Sequence, residues 1–295
     1  MDANACAVGP ESLPPELERM IFETTAVLYP KMAPTLLRVA RRVLLWLEPL
    51  LYKVLFISTG VTKDAYGDAL IRALAVKPAS FFPKATHKIC LSTLNIFGGP
   101  NQIPWSNAEL AGLLRACTGT TDIYIQADIV DPPLLPLLAN MQPTHVTMYA
   151  NLSFADTDAL LDFGAPFFAC VTHLELLDIN NFITADWSRW ADVTHLPHLT
   201  HLAIFVKDIP ALVHRWRPAL ARLKVFIVVT EKRYEALALE ELASLRDSRM
   251  LATFPHRQYL EEWAAGGDDM WKRADSFIAQ KQRGEIEDSC YYMVP

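Results

Sequence analysis

Three histidines, His195, His198 and His201, stand three residues apart and are the first side chains to test for chemistry, because clustered imidazoles hold divalent metals. Their spacing runs across Pro197, whereas a helical zinc pair needs the i, i+4 offset, so the pattern predicts no metal centre. Asp156, Asp158 and Asp162 suggest a cation loop, yet the glycine and terminal glutamate of a calcium loop are missing, and acids near a helix start are ordinary partners of the helix dipole. Gly98-Gly99-Pro100 is a turn signal without the lysine of a phosphate loop, and no G-x-S-x-G, G-x-G-x-x-G or H-E-x-x-H occurs. Five cysteines, Cys6, Cys90, Cys117, Cys170 and Cys290, contain no C-x-x-C pair and are odd in number, which predicts reduced thiols. The expectation is a protein without catalytic residues, metal or cofactor, and an α/β enzyme lacking recognisable motifs is the third reading.

With chemistry set aside, surfaces remain. The 295 residues are 52% apolar and 20% charged, enough for a substantial core. A net charge of −6, with basic residues scattered among acids, argues against a nucleic-acid partner, since phosphate binding needs clustered Lys and Arg. The opening MDANACAVGPE lacks a basic start and an apolar run, and no stretch reaches roughly eighteen uninterrupted apolar residues. Neither secretion nor a membrane partner is expected, and the expected location is cytoplasmic or nuclear.

The elements that would position a surface begin at Leu13. Pro14 and Pro15 suit a first helical turn, and Leu17, Met20, Ile21 and Thr24 follow at helical spacing on one face. The series Leu36, Leu37, Val39, Ala40, Val43, Leu44, Leu47, Leu50 and Leu51 covers more than one stripe, predicting a helix that touches neighbours on two sides. Pro49 marks an expected bend, after which KVLFIS has strand character. The order Leu13-Pro14, Glu16-Leu17, Ile21-Phe22, Val39 with Arg41-Arg42, Trp46 and the closing PLLY at Pro49 to Tyr52 resembles the F-box, especially the F-box-like segments of large fungal protein families. The resemblance covers about forty residues. It implies contact with the adaptor subunit of SCF-type ubiquitin ligases through Leu13, Pro14, Leu17, Ile21, Val39 and Leu50. The competing reading makes the same segment a helical cap on the following domain.

Beyond it the chain repeats. THKICLS from Thr86, THVTMYA from Thr144, THLELLD from Thr172 and THLAIFV from Thr200 share a Thr-His step into an alternating apolar run, with TDIYIQA from Thr121 and RLKVFIVV from Arg222 as variants. Strand starts recur about every twenty-one to thirty-five residues. Helix-like segments lie between them, marked by Ser106 with Glu109, Asp131 before Pro132, Ser153 with Asp156, and Pro210. LPHLTHLAI, with Leu196, Leu199, Leu202 and Ile204, is similar to a leucine-rich repeat, as is VTMYANL with Val146, Met148, Asn151 and Leu152. The resemblance implies a degenerate solenoid of parallel strands alternating with helices, with an open doubly wound sheet as the runner-up.

The expected organisation is an α/β chain: a flexible terminus at 1–12, F-box-like helices at 13–52, a leucine-rich-repeat-like solenoid at 53–265, and a capping helix with a tail at 266–295. That helix is expected from Asp268 or Asp269 to Gly284, with Met270, Trp271, Ala274, Phe277 and Ile278 on one face. Along the strands, alternation predicts burial of Leu174, Leu176, Leu199, Leu202 and Ile204 and solvent contact for Glu175, His195 and His198. The outward row would carry Cys90, Ser92, Gln126, Thr147 and Ala203, together with Tyr124, Tyr149, Leu177, Phe205 and Phe226 as a target-binding surface, unless the C-terminal segment covers it. The expected function is a substrate-recognition adaptor joining a protein target to a ubiquitin ligase. The alternative is a stand-alone repeat scaffold carrying a remnant F-box.

Overall fold

The computed structural model describes residues 13–58, 65–92, 105–126, 137–138, 140–149, 163–177, 193, 195–205, 222–254, 259–265 and 270–294. Asp131, Ser153, Asp156, Asp158, Asp162, Pro210, Gly98 to Pro100, Asn151, Asp268 and Asp269 fall outside them, as does the expected flexible terminus. The chain divides into two compact units between Lys53 and Val54.

In the first unit, helix α1 spans Pro15–Leu28. Pro15 stands in its first turn, where a missing N–H costs nothing, and Glu16 and Glu18 face the positive end of the helix dipole. A 3-10 turn at Pro30–Met32 leads to α2, Ala33–Leu36, and α3 spans Arg41–Leu51. The single helix expected through Leu36 to Leu51 is therefore broken, because Ala40 is extended at φ −158°, ψ 155°. Pro49 does not bend the chain before Leu50 either; it lies inside α3. The hydrogen bond it forgoes is in the last turn, two residues from an end already fraying into the Tyr52 N–H to Pro49 carbonyl contact of 3.1 Å. Leu36, Val43 and Leu47 form a small core, with Phe22, Ala26, Leu37, Ala40, Trp46 and Leu50 packed against it.

In the second unit, eight strands among the described residues form one sheet: β1 (Val54–Ser58), β2 (Lys88–Ser92), β3 (Asp122–Gln126), β4 (His145–Tyr149), β5 (His173–Leu177), β6 (His201–Phe205), β7 (Val225–Val229) and β8 (Met250–Thr253). Every pair is parallel and the spatial order is the chain order, β1 to β8. The order has no reversal, the feature that creates the ligand crevice of a doubly wound sheet. An α/β unit advancing one strand at a time in a single direction is compatible with a solenoid. Helices α4 (Ala65–Val76), α5 (Phe81–Ala85), α6 (Asn107–Ala116) and α7 (Glu235–Leu245) lie between strands, and α8 (Tyr259–Ala265) and α9 (Met270–Gln282) follow the last one. The capping box forms as its spacing predicts: the Glu109 N–H donates to Ser106 Oγ, and the Ser106 N–H donates to Glu109 Oε2.

Because side chains alternate across a pleated strand, the register sorts them into rows. One face carries Leu55, Ile89, Ile123, Val146, Leu174, Leu202, Phe226 and Met250, and beside them Ile57, Leu91, Ile125, Met148, Leu176, Ile204, Val228 and Ala252, all buried. The other face carries Phe56, Cys90, Tyr124, Thr147, Glu175, Ala203, Ile227 and Leu251. Leu174, Leu176, Leu199, Leu202 and Ile204 are buried, and His195 and His198 are exposed, in agreement with the alternation.

Candidate functional site

Helix α1 is apolar on two faces, and its own unit uses one of them. Glu18, Phe22, Thr25 and Ala26 fall on the face turned toward α3, where Phe22 and Ala26 join the core around Val43 and Leu47. The Arg42 guanidinium closes that face from α3 with a two-pronged bond to Glu18, Nε to Oε2 at 2.9 Å and Nη2 to Oε1 at 2.6 Å. That bond holds the Glu18 carboxyl below its usual range. Roughly a third of a turn away, Leu17, Met20, Ile21, Thr24 and Leu28 form a second stripe, and all of them are exposed. No residue of α1 is buried.

The structure therefore sorts the residues implied as adaptor contacts. Leu13 is 56% exposed, Leu17 44%, Ile21 50% and Val39 58%, and Pro14 is exposed as well. Leu50 is half-buried against the small core instead. Val39 sits in the turn before the extended Ala40, whose backbone breaks the helix and leaves Val39 outside the packed seam.

The sheet row expected as a target-binding surface has a different fate. Tyr124 is buried, its ring 5.8 Å from that of Trp263 on α8, in a cluster with Cys90. Burial pushes the Cys90 thiol up to about 12, which makes it a packing group and a poor nucleophile. Phe205 is half-buried against a second cluster, in which Ala203, Val225, Ile227, Val229 and Leu251 pack with Met270, Trp271, Ala274 and Ile278 of α9. Leu177 is half-buried, and the Tyr149 side chain lies outside the described residues. Phe226 requires a correction of face. It pairs with Leu202, so it and Val228 point into the leucine rows, and Ile227 occupies the other face. The run VFIVV is apolar on both faces, so its alternation carried no signal and only pairing set the register.

Glu175, expected in solvent, is 2% exposed. The faces are not inverted, because Leu174 and Leu176 are buried too; both sides of the sheet are covered. Thr147 Oγ1 donates to Glu175 Oε2 at 3.0 Å, satisfying part of the buried carboxyl. Helix α9 presents the predicted face, with Met270, Trp271, Ala274 and Ile278 buried and Gly284 at φ 73° past its end, but it lies over the late strands rather than across the end of the array. The edge of β8 is closed by the tail, where the Ala252 N–H donates to the Tyr291 carbonyl at 2.7 Å and the Met293 N–H to the Ala252 carbonyl at 2.9 Å.

The first positions of β2 to β6 form a polar row that the apolar pattern did not disclose. Lys88 Nζ donates to the Trp263 carbonyl at 2.6 Å, lies 5.0 Å from the Trp263 ring centre and 3.6 Å from Asp122 Oδ1, fastening α8 to the sheet. Farther along the same row stand His145, His173 and His201. The recurring Thr-His step was the available signal: residues at one position of successive parallel repeats must stack. Thr144, Thr172 and Thr200 each bond the carbonyl of the previous repeat's threonine, at 3.3, 3.1 and 3.2 Å.

Among the described residues no group of His, Cys, Asp and Glu side chains is placed to hold a metal, and no helix is long and apolar enough to cross a membrane. His201 is buried while His195 and His198 are exposed, so the three do not converge. No protein-family model, no curated protein and no solved structure matches the chain.

Proposed function

We propose that this protein is a substrate-recognition adaptor, its first unit an F-box-like segment that docks to the adaptor subunit of an SCF-type ubiquitin ligase and its second a leucine-rich-repeat-like array that selects a protein target. The observation that carries the reading is the unused stripe of α1. Leu17, Met20, Ile21 and Leu28, together with Leu13, are large apolar side chains left in solvent although the same helix has another apolar face for its own core. Burying such a side chain at an interface contributes roughly 1.5–3 kcal/mol, so the stripe is a strong anchor once a groove is supplied. The residues that the F-box resemblance implies as contacts include Leu13, Leu17 and Ile21 of this stripe. Target selection then uses surface other than the centre of the sheet, where Tyr124, Glu175 and Ile227 are covered.

The test is Leu17→Asp combined with Ile21→Asp. A carboxylate forced into an apolar groove costs several kcal/mol of desolvation, so co-purification of the ligase adaptor should disappear while the melting transition is kept. Loss of the fold in the double variant would assign these residues to a core. Failure of the unmutated protein to recruit the adaptor would leave the alternative, a stand-alone scaffold with a remnant F-box.

A further inference from the structure

The docking reading makes no use of the imidazole stack in the second unit. His145, His173 and His201 lie side by side on β4, β5 and β6, with ring centres 4.1 and 4.0 Å apart and planes within 17° and 14° of parallel. In each case the preceding threonine hydroxyl is close to Nδ1, at 3.0, 2.8 and 2.7 Å. Each hydroxyl also lies near the carbonyl of the preceding repeat's threonine, at 3.3, 3.1 and 3.2 Å, an oxygen that already accepts two backbone N–H groups. His201 differs, because its Nε2 lies 3.1 Å from Asp275 Oδ1 on α9, which ties the stack to that helix. Trp271 of α9 completes the cluster, its ring 5.3 Å from His173 and 5.9 Å from His201, both steeply tilted. Since His173 has a ring on each face, the indole stands at its edge.

We propose that the stack is a proton-operated latch for α9: a proton taken up by the stack drives α9 off the sheet and uncovers Ala203, Ile227 and Leu251. His173 is the ring that decides it. The groups whose positive charge would oppose a proton on it are His145 on β4, His201 on β6 and Lys224 before β7, while Asp275 of α9 meets the neighbouring imidazole. A proton on His173 would sit between two stacked imidazoles, inside the low-dielectric contact with Trp271. Burial first, then the flanking imidazoles and Lys224, push His173 down to about 2, so it stays neutral while α9 is seated. Once α9 leaves and water returns, the ring rises toward the ordinary value of about 6.5, held somewhat below it by the flanking imidazoles and Lys224, which stay on the sheet. The released state thus binds the extra proton. The contribution of His173 to seating is complete above about pH 6.5 and is lost as the pH falls below it, by at most about tenfold in the seating equilibrium per pH unit for one proton.

Hydrogen exchange of the full chain, read by mass spectrometry at pH 7.5 and 5.5 and corrected for the intrinsic pH dependence of amide exchange, tests this. Protection of peptides covering Met270–Gln282 should fall by up to about tenfold per unit below pH 6.5 while β4 to β7 stay protected. His173→Phe keeps a flat ring in the stack but takes no proton, and should flatten the dependence. If that variant does not fold, His173→Gln, which can still meet the Thr172 hydroxyl, serves in its place. Equal α9 protection at the two pH values, a loss that persists in the His173 variant, or simultaneous loss from the strands would each overturn the latch. None of these outcomes depends on whether α1 docks to a ligase.

Discussion

Strand β7 and helix α1 are both rich in apolar residues and end in opposite environments: all five residues of β7 are buried, and none of the fourteen in α1 is. The difference is the number of surfaces offered to each. A strand inside a parallel sheet has a neighbour on either side and here a covered face above and below, so VFIVV finds a partner in every direction. Helix α1 meets a core of only three buried side chains and can give it one face. Apolar character alone therefore does not report burial, and the residue of apolar surface that a small unit cannot hide is where a partner is expected.

The largest test of this contrast is Phe226→Ala. Its side chain is fully buried in the leucine rows, so the change should cost about 3–5 kcal/mol, read as a lowered urea midpoint at unchanged slope. A cost under about 1 kcal/mol would mean the row is loosely packed and the contrast is false. Gly119→Ala comes next. A Cβ there would lie 1.9 Å from the Pro83 carbonyl oxygen, so the backbone must yield. About 1–3 kcal/mol of destabilisation should appear in thermal melting, and a neutral result would show that this turn is free to move. Ser106→Ala removes the capping box of α6 and should cost about 1 kcal/mol, with Ser106→Asn restoring most of it; equal stability of both variants would show that the cap is solvent-satisfied. The smallest effect belongs to Leu17→Ala, which should stay within about 0.5 kcal/mol of the parent in chemical denaturation. A loss above about 2 kcal/mol would place the α1 stripe in a core and remove the basis of the docking proposal.

Much of this was readable locally. The Ser106-Glu109 spacing specifies its own hydrogen bonds, the two prolines mark the start of α1, and in HLELL and HLAIF the alternation places the leucines inward. The same logic failed where it had nothing to alternate, at Phe226, and where a backbone break interrupted a continuous apolar series, at Ala40. It also misjudged Glu175. That residue is polar in an apolar run, which usually marks a solvent face, whereas in the fold it is buried and bonded to Thr147 of the neighbouring strand. The Thr-His steps were visible, but stacked imidazoles exist only once parallel pairing has set the three strands in register.

By itself the sequence determined the strand repeat and the Leu17–Ile21 stripe of α1, because both rest on short-range periodicities that each segment carries within itself. Tertiary structure alone decided which apolar faces are hidden. It laid α8 and α9 over the sheet row that carries Tyr124 and Ala203, closed the β8 edge with the tail, and left Leu17 and Ile21 in solvent. Burial depends on which surfaces meet, and surfaces distant in the chain meet only after the fold is made.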